Sequence, residues 1–420
     1  MARRAGSGYD CAMRYTLSDA QALDRSDPLA PLRDRFTLPE GIIYLDGNSL
    51  GALPRGVRAR IDEVVTTQWG EGLIRSWNTH DWIDLPGRLG DRIGRLIGAR
   101  SGTVTVADST SVNLFKVLSA AVHLRSERRV IVSEKGNFPT DSYIAAGLSE
   151  LLGQGHQLRL VEASDLAEAL NEDTAVLMLT EVNYRTGARL DLAGLTAAAH
   201  AAGALTIWDL CHSAGALPVD LTAADADFAV GCGYKYLNGG PGAPAFVYAA
   251  PRHHAGLRQP LTGWLGHAAP FSFAEVYKPA EGIDRMRVGT PPILSMQALD
   301  AALDAFDDVD LGVVKAKADQ LFDLFAAEVA DLGLSLATPT DPARRGTQIS
   351  LGHPEAYAVM QALIGRGVIG DFREPDILRF GLTPLYLRFE DVWRATQILG
   401  EIISGGAWDR PELKRRAKVV

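Results

Sequence analysis

From about Thr103 onward, short apolar runs alternate with stretches of helical periodicity. The runs Thr103–Ala107, Val130–Ser133, Gln157–Val161, Ala175–Thr180, Leu205–Asp209, Phe228–Gly231 and Ala245–Tyr248 predict strands. Stretches such as Val112–His123 and Leu192–Ala202 predict helices between them. Strands that are apolar at nearly every position and separated by helices predict an α/β fold with a mostly parallel seven-stranded sheet covered on both faces. Ligands of such sheets sit beyond the carboxyl ends of the strands.

The pattern differs on either side of this block. Leu17 to Glu40 is polar and proline-containing, and reads as an N-terminal arm. Ile42–Tyr44 predicts a short strand that runs into the turn-rich loop Asp46-Gly47-Asn48-Ser49-Leu50-Gly51. After Pro291-Pro292, helical segments at Ser295–Phe306 and Val313–Leu332 precede strands at Gln348–Leu351 and Ile377–Gly381. An amphipathic helix near Glu390–Ile403 follows. The expected division is an arm over 1–40, a large α/β domain over 41–290 and a smaller α+β domain over 291–420, with room for the N-terminal segment to pack on the last.

Composition narrows the function classes. The 420 residues exceed what one small core needs, and 47% hydrophobic with 22% charged is ordinary globular composition. A net charge of -9 argues against a general nucleic-acid binder, while leaving room for a local basic pocket. Cys11, Cys211 and Cys232 are too few and too irregular for a disulfide framework or a zinc site, which points to a reducing cytoplasm. The first residues have no apolar run of signal-peptide length, and no stretch approaches a membrane span. Met13 offers an alternative start, so the first dozen residues are expected to be a disordered extension.

Several residues carry chemistry by position. Lys235 follows an apolar strand and precedes the glycine-rich Asn238-Gly239-Gly240-Pro241-Gly242. An amine there loses hydration and is placed to form a Schiff base with an aldehyde; the ordinary alternative is a solvated loop lysine. Asp209 ends the strand Leu205–Asp209, where a carboxylate pairs with a cationic ring nitrogen or simply caps the next turn. His212 stands three residues on, placed to brace Asp209 or to serve as an ordinary structural histidine. Thr110-Ser111 opens the helix expected near Val112, so it is an anion site or a plain N-cap. Phe138, after the strand Val130–Ser133, stacks on a ring or belongs to the core. Arg379 lies in the apolar strand Ile377-Leu378-Arg379-Phe380, where a guanidinium needs an anion. That anion is a substrate carboxylate, or Glu374 or Asp376 in an internal salt bridge.

From about Tyr44 to Ile403 the chain resembles the fold-type-I pyridoxal-phosphate enzymes, and among them the kynureninases. The resemblance rests on Gly47-Asn48-Ser49-Leu50-Gly51, Phe138-Pro139-Thr140-Asp141, Trp208-Asp209-Leu210-Cys211-His212 and Gly233-Tyr234-Lys235-Tyr236-Leu237-Asn238. It continues through Gly263-Trp264, Thr290-Pro291-Pro292-Ile293 and Arg379-Phe380-Gly381-Leu382-Thr383-Pro384-Leu385-Tyr386. It implies pyridoxal 5'-phosphate as cofactor, with Lys235 as the Schiff-base lysine, Asp209 on the ring nitrogen with His212 beside it, and Phe138 and Asp141 at the ring. Thr110, Ser111, Thr180, Tyr234 and Trp264 would surround the cofactor and its phosphate. Thr290 stands where some members carry Asn. Arg379, with Asn48 and Ser49, would bind the substrate, and a homodimer would share its sites through Trp264 and Thr290. No metal is implied.

The implied reaction is hydrolysis of L-kynurenine, and of its 3-hydroxy form, to anthranilate or 3-hydroxyanthranilate and L-alanine in tryptophan degradation. Tyr234 would relay protons beside the catalytic Lys235 and Asp209. Some relatives place a histidine against the substrate ring in the region matching Leu73–Trp82. Here Arg75, Trp77 and His80 lie there, and the choice between the two substrates stays open. A cysteine desulfurase-like lyase and an aminotransferase share the fold. The former needs a nucleophilic cysteine on a mobile loop, which none of the three cysteines supplies. A non-catalytic binding protein on the same fold would be expected to lose Lys235 or Asp209, and both are present. A nicotinamide enzyme is disfavoured, since no G-x-G-x-x-G opens a helix after the first strand.

Overall fold

The computed structural model describes residues 14–417. Cys11 and the extension before Met13 lie outside the described residues. The central sheet has strands β1 (Val104–Val106), β2 (Val130–Glu134), β3 (Gln157–Val161), β4 (Thr174–Thr180), β5 (Leu205–Asp209), β6 (Phe228–Gly231) and β7 (Phe246–Ala249). Their spatial order is β1-β7-β6-β5-β4-β2-β3. All pairs are parallel except those of β7, which runs antiparallel to β1 and β6.

Burial explains the apolar runs. Ile131, Val176, Met178, Ile207, Phe228 and Val230 point into one core with Leu114, Val117 and Leu118 of the helix Thr110–Leu124. Val130, Val132, Leu177, Leu179, Trp208 and Phe246 point into the core on the other face. Alternate residues thus bury on opposite faces, and no polar face is left to show in the sequence. The sheet fits the expected architecture strand for strand.

A second, four-stranded antiparallel sheet follows: β8 (Ser335–Leu336), β9 (Gln348–Gly352), β10 (Asp371–Arg373) and β11 (Ile377–Gly381), in the order β8-β9-β11-β10. Only β9 and β11 were expected. The two edge strands are too short for an alternation to show. Ile43–Tyr44 pairs in parallel with Val368–Ile369, which ties the start of the chain to this unit.

The segment Leu17–Glu40 is not merely an arm, because it holds the helix α1 (Leu17–Ser26). Thr16 and Asp19 form a capping box at its start, a sequence signal that the polar composition masked. Asp24 of α1 accepts bonds from the N–H groups of Phe389 and Glu390, at 2.7 and 3.0 Å, capping the helix Phe389–Gly405. Lys317 reaches Asp27 at 2.7 Å in a buried pair.

One buried carboxylate ties the outer connections of the central sheet together. Asp227, 1% exposed, accepts from His200 (2.8 Å), His253 (2.7 Å), Arg252 (2.7 Å) and Thr206 N (2.8 Å). Burial alone would raise its pKa. The bonds from His253, His200, Thr206 and Arg252 outweigh burial and hold the carboxyl well below the usual range. A depressed folded value stabilises the fold above the ordinary aspartate value, and that contribution is lost as pH falls towards the folded value. We therefore expect Asp227→Asn to cost about 3–5 kcal/mol at pH 7. Denaturant melts should show the gap from wild type closing as pH drops below about 4. A gap of the same size at pH 7 and pH 3 would refute the assignment.

Candidate active site

The carboxyl ends of β2, β4, β5 and β6 converge. Parallel register sets Thr180 at the end of β4 beside Asp209 at the end of β5. Asp209 is 5% exposed, and its Oδ1 accepts from Cys211 N at 2.7 Å. Asp141, in the first turn of the helix Pro139–Leu152, is 1% exposed and lies near enough to repel Asp209. Thr180 Oγ1 and Asn137 Nδ2 lie 3.2 and 3.4 Å from Asp141 Oδ2. Asn137 also accepts from Phe138 N at 2.7 Å.

Burial raises both carboxyls above the usual range, and Asp209 raises Asp141 further. Lys235 opposes both shifts from the loop after β6. Its Nζ lies 5.8 Å from the centre of the Phe138 ring and 5.9 Å from that of Tyr234. Phe138 packs edge-on against Tyr184, with ring centres 5.2 Å apart. Burial raises Tyr234 as well, so its phenol stays protonated at neutral pH.

His212 does not brace Asp209. Its Nε2 lies 3.0 Å from Lys235 Nζ, and its buried Nδ1 has no partner. Burial, and then Lys235, Arg379 and Arg373, push its pKa well below 6.5, so the ring is neutral at pH 7 and accepts from the lysine. Thr110 and Ser111 form the first turn of the helix Thr110–Leu124, which Ser109 caps. Thr110 Oγ1 lies 3.7 Å from the sulfur of Cys211.

Arg379 crosses from the second sheet. It is 1% exposed and bonds to Tyr184 O (2.7 Å), Ser49 Oγ (2.6 Å) and Asp371 (2.5 Å), while its buried Nε has no partner. Its internal carboxylate is Asp371, and neither of the two expected from sequence. Asp376 instead pairs with Arg185 at 2.7 Å, and Glu374 with Arg416 at 3.1 Å. Asp371 sits on the short strand β10, paired across from Arg379 in register, which a reading without that strand misses. Asn48 is fully buried, 3.4 Å from Gln348. Asp46, Ser49, Phe138, Tyr184, Asp371 and Arg373 line a cleft of about 550 Å³, which Tyr357 and Arg416 extend outward.

Asn137, Tyr184, Asp371, Arg373 and Asp46 were not singled out from sequence. Asn137 carried a faint signal, a polar residue four before Asp141 at a strand end. Trp264 and Thr290 do not join this group within one chain. Both lie at the surface, Trp264 beside Phe271 with ring centres 5.8 Å apart. Arg75 binds the carbonyls of Glu71 and Gly72, and Trp77 packs on Trp82, so neither reaches across the cleft.

Known proteins resemble this chain in sequence and in fold. A family model described as the kynureninase C-terminal domain matches residues 314–399. A kynureninase from Burkholderia pseudomallei (strain 1106a) and one from Pseudomonas fluorescens are each 54% identical over 413 residues, 96% of this chain and 99% of the relative. Among solved structures, the apo cysteine desulfurase from Thermococcus onnurineus NA1 aligns with a TM-score of 0.77 at 18% identity, over 89% of this chain and 98% of that one. A C-DES mutant with glycine covalently linked to its PLP cofactor aligns with a TM-score of 0.76 at 18% identity, over 87% and 98%. These structures share the fold-type-I architecture, while identity over nearly the whole length decides the family. The chain belongs to the kynureninase family.

Proposed function

We propose that this chain is a pyridoxal-phosphate-dependent kynureninase. It cleaves the Cβ–Cγ bond of L-kynurenine, and of 3-hydroxykynurenine, by hydrolysis, releasing L-alanine with anthranilate or 3-hydroxyanthranilate respectively. The observation that carries the reading is His212: it touches Lys235 and feels the charge of Arg379, so a lysine for the cofactor and an arginine for a carboxylate stand on either side of one imidazole.

The residues fit the cofactor. Two buried carboxylates, Asp209 and Asp141, share one lysine, so the site lacks a positive charge that a protonated ring nitrogen supplies. The N–H groups of Thr110 and Ser111 at a helix start suit its phosphate. When bound at Lys235, pyridoxal phosphate acts as an electron sink for the carbanions of the reaction.

The protein's own residues do the rest. Asp209 would hold the cofactor's ring nitrogen in its charged form, and Phe138 would lie at the ring. Arg379 grips the α-carboxylate through its free Nε and an Nη, held in place by Tyr184 O and Ser49. Lys235 Nζ takes the α-proton, and neutral His212 holds that amine in line. Tyr234 Oη, protonated at neutral pH, relays a proton as water adds at the γ-carbonyl. Cys211 and Cys232 are free and buried at strand ends, so neither suits the nucleophile of a desulfurase.

The site would be completed by a second copy of the chain. Trp264, Phe271, Phe273 and Val276 form an exposed apolar surface that suits a homodimer sharing its sites. No helix among the described residues is long and apolar enough to cross a membrane. The free thiols suit the cytoplasm.

Borohydride reduction of the cofactor-loaded enzyme should fix the cofactor on the peptide containing Lys235; a label on any other lysine would remove Lys235 from this role. Sedimentation of the active enzyme should give twice the chain mass, and a fully active monomer would contradict shared sites. Arg379→Ala should cost about 2–5 kcal/mol of transition-state stabilisation, read from the fall in kcat/KM for L-kynurenine, with the cofactor still bound. Arg379→Lys should recover only part, since it keeps the charge and loses the planar fork. Wild type should release anthranilate and alanine in equal amounts, and failure to turn over kynurenine would end the reading.

A further inference from the structure

The cluster around Arg379 holds two carboxyls, Asp46 and Asp371, and two guanidiniums, Arg373 and Arg379. The pairing is uneven. Both guanidiniums bond to the same oxygen of Asp371, at 2.6 and 2.5 Å. Asp46 Oδ1 is buried and has no hydrogen-bond partner. Asp46 nonetheless lines the same cleft, beside Ser49 and Asp371. One carboxyl is therefore well solvated by protein, and the other is the least supported charge in the site.

A substrate carboxylate arriving at Arg379 makes three anions against two cations in a cleft walled by aromatic rings. The most economical relief is a proton on the least supported carboxyl. The other titratable groups facing Asp46 offer none. Tyr44 donates to Leu50 O at 2.7 Å and is raised by burial and by Asp46. Tyr236 is pushed up to about 12, and Tyr386 lies well above its usual value, both through burial first. His212 is neutral at pH 7 and buried.

We infer that Asp46 is a positioning residue that takes up a proton as the substrate's α-carboxylate docks on Arg379, coupling substrate binding to proton uptake. This rests on the kynureninase reading and on Arg379 as the carboxylate's partner. The pKa of Asp46 agrees: burial, then Asp371, raises it to about 7, against the lowering pull of Arg379, Ser49 and Arg373. The sign follows. Below that value Asp46 is already protonated and binding takes up nothing. Above it, binding must first protonate a carboxylate, so affinity falls as pH rises.

The test compares wild type with Asp46→Asn, which imitates the protonated form. Wild-type KM for L-kynurenine should rise by up to about tenfold per pH unit above roughly pH 7. The Asn variant should lack that rise relative to wild type, the titration of the substrate's own amine being common to both. Calorimetry of L-alanine binding at pH 7, in two buffers of different ionisation enthalpy, should show wild type taking up about half a proton more than the variant. If Asp46→Asn does not fold, Asp46→Glu keeps a titrating carboxyl on a longer stem and should move the break in the KM profile. Profiles that coincide, a break unmoved by Glu, or equal proton uptake would overturn the proposal. Absence of kynurenine turnover in wild type would instead overturn the reading it rests on.

Discussion

The site depends on holding ionised groups out of water at the carboxyl edge of a parallel sheet. A buried ion without a partner costs several kcal/mol, so each must meet an opposite charge or a set of donors. The register of β4 on β5 places Thr180 beside Asp209, and the helix after β2 brings in Asp141. Lys235 then arrives on the loop after the next strand as the cation that opposes both. None of these positions is independent. A shift of one strand by one residue would turn Asp209 to the other face and leave Asp141 and Lys235 mismatched.

The same constraint explains what was legible in the sequence. Most of the central strands stood out because both faces are buried, so nearly every position is apolar, while the edge strand Gln157–Val161 keeps Gln157 and Arg159 on its open side. Asp209, Lys235, Phe138 and Arg379 stood out because a polar or aromatic residue at the end of an apolar run, or inside one, is conspicuous. Asp371 and Arg373 were hidden because β10 is three residues long and two of them are charged. Its meaning appears only when β11 lies alongside and Asp371 faces Arg379. His212 was expected beside Asp209 because sequence proximity suggested it. The chain turns sharply after β5, which sends the imidazole to Lys235 instead.

Trp264 and Thr290 show a different limit. A single chain leaves both at the surface, so no argument from one chain's packing gives them a partner. Their motifs carried the resemblance, yet within one chain they do not join the group around Lys235.

The loop from Asp46 to Gly51 is where these constraints meet. Gly51 donates its N–H to Tyr234 O at 2.8 Å, and a side chain there would collide with the carbonyl of Lys235. Gly47 sits against Tyr386 and Thr383, where a Cβ would collide with both side chains. The loop is therefore wedged between the Lys235 loop of the first sheet and the segment after β11 of the second. Ser49 reaches Asp371 and Arg379 from that wedge, at 2.7 and 2.6 Å. A movement of either sheet is transmitted through a few atoms to both the lysine and the arginine. The glycines in Gly47-Asn48-Ser49-Leu50-Gly51 are thus explained by close approach, since their φ angles lie outside the left-handed region. The loop lets one short stretch of backbone set the distance between Lys235 and Arg379.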